Sequence, residues 1–306
     1  MAAKRKALVL GGFTGLAATA QANVLEEAGW EVGRLGRADL DFQAADAFGK
    51  LERLLDALEP DLLVNGAAYT QVDAAEDNPD AADFLNRAVP TALGRMVKSR
   101  PSCVLLHYSS DFVFSGKKRS PYTTDDLTGP LNVYGKSKVA GEEALLSLGL
   151  YNCLVVRTAW LFGPGRGNFV TTVLDLCRKN SSINVVHDQT GSPTYTEDLA
   201  HCSLKLVEAE AHGLFHVAGT GEATWCELAD EAARLVKLEC AIRPVTSADF
   251  PRKAARPAYS VLDCSSFERV TGGKPRPWPQ ALRDYIYKYT MSGGDEPDME
   301  RNADRV

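Results

Sequence analysis

A tyrosine and a lysine one turn apart on a helix make a proton-handling pair, and LNVYGKSKVAGEEALL (131–146) sets Tyr134 and Lys138 in that relation. A free phenol, with a pKa of ~10, is a poor acid or base near neutrality. An ammonium beside it favours the phenolate and lowers that pKa, which makes the pair useful for general acid–base work. Y-x-x-x-K also arises by chance, and the plain alternative is an exposed helix pair. Upstream, HYSSDFVFSG (107–116) follows the apolar run Cys103–Leu106 directly. That order places Ser109 and Ser110 at the carboxyl end of a central strand, where a hydroxyl could hydrogen-bond a substrate carbonyl.

A third feature lies near the N-terminus. Gly12-Phe13-Thr14-Gly15-Leu16-Ala17-Ala18 has the spacing G-x-x-G-x-x-A, after a short apolar run and before an amphipathic stretch. Early glycines permit a tight turn and let backbone N–H groups approach a pyrophosphate. The start of the next helix adds partial positive charge. The third place needs only a small residue for close helix–strand packing, and Ala18 meets that need. A packing turn without ligand is the alternative. Cofactor choice should be written near Gly33–Arg37, after the second strand. An acid there would favour NAD, but the sequence has Gly36 followed by Arg37 and no acid before Asp39. A guanidinium beside a small residue suits the extra phosphate of NADP, unless Arg37 is merely exposed.

These groups need a scaffold, and the apolar pattern predicts one. Runs at Ala7–Leu10, Leu62–Val64, Cys103–Leu106, Cys153–Val156 and Leu214–Val217 fit strands buried on both faces. Asp80–Ser99 keeps close to a helical period through Ala82, Leu85, Val89, Leu93 and Met96. Such alternation predicts an α/β fold, a doubly wound parallel Rossmann sheet, with ligands beyond the carboxyl ends of its strands. Residues 1–165 form its dinucleotide-binding domain, with returning elements around 190–220. Residues 166–290 form a smaller, irregular C-terminal substrate-binding region that includes a helix at Ala223–Lys237. Residues 291–306, rich in charge and containing Gly293-Gly294, read as a disordered tail.

Composition narrows the classes. At 306 residues and a net charge of −6, the chain repels phosphate backbones, and its clearest basic cluster, Lys117-Lys118-Arg119, reads as a solvated loop. Nucleic acid is therefore not expected as a partner. No apolar run approaches the ~18–20 residues needed to span a bilayer. The short run after Lys4-Arg5-Lys6 falls below the ~7–15 residues of a secretion signal, so a cytoplasmic protein is expected. The cysteines at 103, 153, 177, 202, 226, 240 and 264 form no C-x-x-C pair and read as small reduced core residues. His212 and His216 straddle a turn entering a strand, and no metal site is expected.

Taken in order, the glycine loop, the strand-end serine and the Y-x-x-x-K pair make the chain resemble the dTDP-4-dehydrorhamnose reductases. These are extended short-chain dehydrogenase/reductases. The likeness runs from about Lys6 to Tyr287. It rests on VNGAAYTQVDAAED (64–77), HYSSDFVF, PLNVYGKSKVAGE, VVRTAWLFG (155–163), GNFVTTVL (167–174), DQTGSPT (188–194) and ARP (255–257).

The resemblance implies a reductase of the C4 ketone of dTDP-4-dehydro-β-L-rhamnose that uses NADPH, with NADH as a lesser option. It implies Tyr134 as general acid, Lys138 as holder of the nicotinamide ribose, and Ser110 as the hydroxyl that polarises the carbonyl. Gly15, Leu16 and Ala17 would face the pyrophosphate, Asp41 and Phe42 would flank the adenine, and Ala68, Tyr69 and Thr70 would line the cofactor trough. Tyr108 matches a cofactor-side position, while Asp111, Trp160, Asn168 and Arg256 match positions on the substrate side. Some bacterial members carry a metal-binding glutamate where this chain has Ala20, so neither that metal nor the associated dimer carries over. A monomer or homodimer is expected. Two rival readings share the triad: a reductase or epimerase of another nucleotide sugar, and a non-catalytic NADP-binding subunit like that of methionine adenosyltransferase.

Overall fold

Hydrophobic strands buried on both faces pair in parallel and leave helices to cover them. In the computed structural model, which describes residues 4–291, six strands do so. They are β1 (Lys6–Leu10), β2 (Glu31–Leu35), β3 (Leu62–Asn65), β4 (Val104–Ser110), β5 (Cys153–Thr158) and β6 (Gly213–His216). Their order is β6-β5-β4-β3-β1-β2, and every pairing is parallel. The chain reverses direction across the sheet between β1 and β3, which creates a crevice at their carboxyl ends.

The longer helices are α1 (Leu16–Glu27), α2 (Ala47–Leu58), α3 (79–98), α4 (Val133–Leu146), α5 (Phe169–Lys179), α6 (Thr196–Glu208), α7 (Trp225–Leu235) and α8 (Trp278–Met291). Strand periodicity sends Val64, Leu106 and Val156 to the face covered by α1 and α6. Leu63, Leu105 and Val155 go to the other face, under α2, α3 and α4.

The structure refines the expectations at several points. β2 is a half-exposed edge strand, so its polar Glu31 and Arg34 hid it from a search for apolar runs, and Gly33 and Arg34 lie within it. β4 continues past its apolar run to Ser110 because β5 pairs with it as far as Ser110↔Thr158. The expected helix over Asp80–Ser99 is α3, but Phe84–Ala88 forms a π-helical turn inside it, with Pro90 just beyond. Helix α6 and strand β6 return from the second half of the chain to the sheet.

Beyond β5 the chain also builds a small parallel ladder, Ser182–Val186 with Ala241–Val245. Val173 and Cys177 of α5 and Ala229 and Ala233 of α7 pack on it. The expected tail from Ser292 onward lies outside the described residues. Among the described residues no helix is long and apolar enough to cross a membrane. All seven cysteines are free.

Candidate functional site

The glycine loop follows β1. Gly11 takes a left-handed φ of 78°, and its carbonyl accepts the N–H of Gly15 at 3.0 Å, which turns the chain into α1. Gly15 caps that helix without any side-chain hydrogen bond, and the first turn carries no acid. The leading N–H groups of α1 are thus placed to receive an anion. Ala18 is buried against Gly66, just past β3, where any Cβ would collide with the Ala18 methyl. Close packing at the third place of the loop therefore needs two small residues. These features fit a bound pyrophosphate.

Ala20 is buried in the core under α1, and among the described residues no group of three His, Cys, Asp or Glu is arranged to hold a metal ion. Arg37 is exposed and sits 3.5 Å from Asp41. Asp39 is engaged locally, accepting the Gly36 N–H at 2.8 Å. The exposed ring of Phe13 lies over Gly36. Phe42 is buried in the core, its ring against Phe48.

Ala68, Tyr69 and Thr70 leave β3 on the crevice side. Tyr69 is gripped by a residue that sequence reasoning missed. The Asn86 side chain accepts the Tyr69 N–H at 2.9 Å, donates to the Tyr69 carbonyl at 3.1 Å and donates to Ser137 Oγ of α4 at 2.9 Å. Asn86 lies in the π-helical turn, and a polar residue inside an otherwise amphipathic helix was its one signal.

Helix α4 carries Tyr134 and Lys138. Asn132 caps its start, accepting the Gly135 N–H at 2.7 Å. Glu76 accepts the Val133 N–H at 2.8 Å. Gly135 and Gly141 each cost helix propensity, about 1 kcal/mol relative to alanine. Both stand where a Cβ would strike backbone, the Phe112 carbonyl in one case and the Asn86 carbonyl in the other. Without side chains there, α4 presses against the turn after β4 at Gly135 and against α3 at Gly141.

There the Ser110 hydroxyl lies beside the Tyr134 phenol. Burial pushes that phenol up to about 12, and the Ser110 contact pulls it back down in part. This differs from the expected lowering by Lys138. Lys138 is buried, its pKa lowered to about 8 chiefly by desolvation, and its ammonium donates to the Tyr108 carbonyl at 2.6 Å. Tyr108 offers the site that carbonyl. Its phenol points to the opposite face of the sheet, donating to Gln21 at 2.8 Å between α1 and α6.

One turn beyond Lys138, Glu142 makes a buried ion pair with Arg157 of β5, three contacts of 2.6–3.1 Å. That pair ties α4 to the sheet, and the Glu142 charge partly offsets the desolvation of Lys138.

The residues expected on the substrate side divide. Asp111 is buried, and protein hydroxyls hold both its oxygens: Ser110 donates to Oδ1 at 3.1 Å and Ser260 to Oδ2 at 2.6 Å. Its pKa is pushed up to about 6 by burial. Trp160 adopts a left-handed φ of 47° and stacks on Trp225 at 3.5 Å, a strained conformation held by its surroundings. Asn168 is buried. It caps α5, and its amide donates to the Gly163 carbonyl and to Tyr285. Arg256 is engaged by Asp73 through two hydrogen bonds of 2.8 and 2.6 Å, which hold the Asp73 carboxyl down at about 2. Asp77 pairs with Lys253, so the VDAAED stretch latches the segment around Arg256 onto the first half of the chain.

Comparison with known proteins completes the picture. The family model described as RmlD substrate binding domain matches residues 5–291. A dTDP-4-dehydrorhamnose reductase of Streptomyces griseus is 38% identical over 280 residues, 89% of this chain and 90% of the relative. A dTDP-4-keto-6-deoxy-D-glucose reductase of Streptomyces niveus is 37% identical over 230 residues, 75% of this chain and 80% of the relative. The crystal structure of a dTDP-4-dehydrorhamnose reductase of Bacillus anthracis, in complex with NADP, superposes with a TM-score of 0.87 at 28% identity. It covers 94% of this chain and 100% of that one.

Proposed function

The chain belongs to the dTDP-4-dehydrorhamnose reductase family, and we propose that it reduces the C4 ketone of dTDP-4-dehydro-β-L-rhamnose to dTDP-L-rhamnose with NADPH. The observation that supports this reading best is the meeting of Ser110, Tyr134 and Lys138 at the carboxyl end of β4, beside the glycine loop's crevice. In this reading residues 1–165, with α6 and β6, carry the cofactor and residues 166–290 carry most of the sugar contacts. Such charged, water-borne reactants put the enzyme in the cytoplasm.

When bound, NADPH supplies the hydride. The amides opening α1, beside the small residues Gly12, Gly15, Ala18 and Gly66, would hold its pyrophosphate, and the exposed Arg37 would supply a positive charge for the extra phosphate. Lys138 offers its ammonium to the ribose hydroxyls. The Ser110 hydroxyl donates to the ketone oxygen, and Tyr134 passes its proton to that oxygen as alkoxide character develops. A phenol held near about 12 stays protonated at neutral pH, which is the form an acid requires. The resulting phenolate recovers its proton from solvent.

Turnover of several 4-keto nucleotide sugars, each with NADPH and NADH, tests the reading. The keto-rhamnose nucleotide with NADPH should give the highest kcat/KM, by about tenfold or more over NADH if Arg37 pairs with the extra phosphate. A higher kcat/KM on a different keto sugar would reassign the substrate. The relative named for a 6-deoxy-D-glucose nucleotide makes that second reading concrete.

A further inference from the structure

A hydroxyl can donate only one proton, and the structure places that of Ser110 on Asp111. Ser110 Oγ meanwhile accepts the Phe112 N–H at 3.2 Å. To polarise a ketone, Ser110 must release Asp111 and turn its proton to the substrate. How firmly Asp111 holds that proton therefore governs Ser110.

The two hydroxyls on Asp111 are unequal. Ser260 donates at 2.6 Å, within the short range of a hydroxyl bonded to a charged oxygen, whereas Ser110 donates at 3.1 Å, which is long for such a bond. Ser260 is itself buried, and backbone bonds lock its aim: its N–H donates to the Thr190 carbonyl at 2.8 Å, while the Thr190 N–H donates to Ala258 at 2.9 Å. Resting on the function proposed above, we infer that Ser260 is a positioning residue of the reaction. By holding Oδ2 of Asp111 tightly, it keeps Oδ1 at a distance from which Ser110 readily releases its proton. The Ser260 hydroxyl donates to Asp111 and acts through that carboxylate.

Two consequences set this apart from mere packing. Without Ser260 the Asp111 carboxylate loses its strongest donor, so it takes up a proton at higher pH, and while charged it turns onto Ser110 and withholds that hydroxyl's proton from a ketone. The ionisable group facing Asp111 is Tyr134, whose own proton is held more tightly when Asp111 is charged. The remaining neighbours are the hydroxyls of Ser110 and Ser260 and the amides of Asp111 and Phe112.

The test uses the full chain and two readouts. In protein labelled at its aspartate carboxyls, the Asp111 resonance, identified by its loss in Asp111→Asn, is titrated in the native protein and in Ser260→Ala. Its midpoint should rise by about one pH unit. Above that midpoint kcat should fall about tenfold, recovering in part as pH drops through it, while KM stays within about twofold. Ser260→Thr, which keeps the hydroxyl, should restore both. Ser260→Cys, a weaker donor of similar size, gives the same comparison should the alanine variant not fold. An unmoved midpoint, an unmoved kcat, or a loss that threonine does not restore would each overturn the role. If the native protein turns over no keto sugar, the function reading fails while the carboxyl titration still decides whether Ser260 governs Asp111.

Discussion

The wall of the site built on β4 and α4 and the wall built from residues 246–262 are held by different forces. On the first, sheet register carries the backbone to Ser110, and the Glu142–Arg157 pair behind Lys138 is at most 4% exposed. On the second, Arg256–Asp73 is 20% and 33% exposed, and Lys253–Asp77 is 51% and 61% exposed. Buried pairs of the first kind cannot be broken singly without stranding a charge, whereas the second kind exchange readily with water. The residues proposed to move protons thus stand on rigid elements, and the segment around Arg256 hangs on a polar latch. A division of this kind lets one fold keep its chemistry while its substrates vary.

Glu142→Gln breaks the first wall and should show the largest effect. It leaves the Arg157 guanidinium buried without its counter-ion, a loss of about 3–5 kcal/mol in folding stability measurable by urea titration. A change below about 1 kcal/mol would mean that the pair is solvated and that the walls do not differ in kind.

Asp73→Asn probes the second wall and should cost less. The expected loss is about 1 kcal/mol, seen mainly as a rise in KM for the sugar of up to about fivefold, with kcat within about twofold. Because the Asp73 pKa is depressed from 3.8 to about 2, its contribution is present above 3.8. Native and variant stabilities should therefore converge as pH falls through about 2. A larger loss of kcat than of sugar affinity would place Asp73 with the proton-moving wall instead.

Local sequence showed what local physics controls. The glycine loop was legible because a turn, a helix start and close packing all fall within a few residues. Tyr134 and Lys138 were legible because one helical turn relates them. The sheet was legible where strands were apolar and missed at β2, whose edge position lets it carry Glu31 and Arg34.

What stayed hidden depends on contacts far apart in the chain. Arg256 meets Asp73 across 183 residues and Ser260 meets Asp111 across 149, so no period or spacing could assign either partner. Asn168 and Phe42 match ligand-side positions by resemblance, and their structural duties as a helix cap and a core ring were not visible in the sequence. The phenol pKa was misjudged for a related reason. Proximity of Lys138 was legible, but the desolvation that dominates Tyr134 depends on everything packed around it.

The central claim is that Tyr134, placed by α4 beside Ser110, delivers the proton. Its most direct test is Tyr134→Phe, assayed for NADPH oxidation by dTDP-4-dehydro-β-L-rhamnose alongside NADPH binding. A fall of roughly 10²–10⁴ in kcat is expected, with cofactor affinity within about twofold of the native protein. A variant that binds NADPH and turns over the keto sugar at a near-native rate would contradict it.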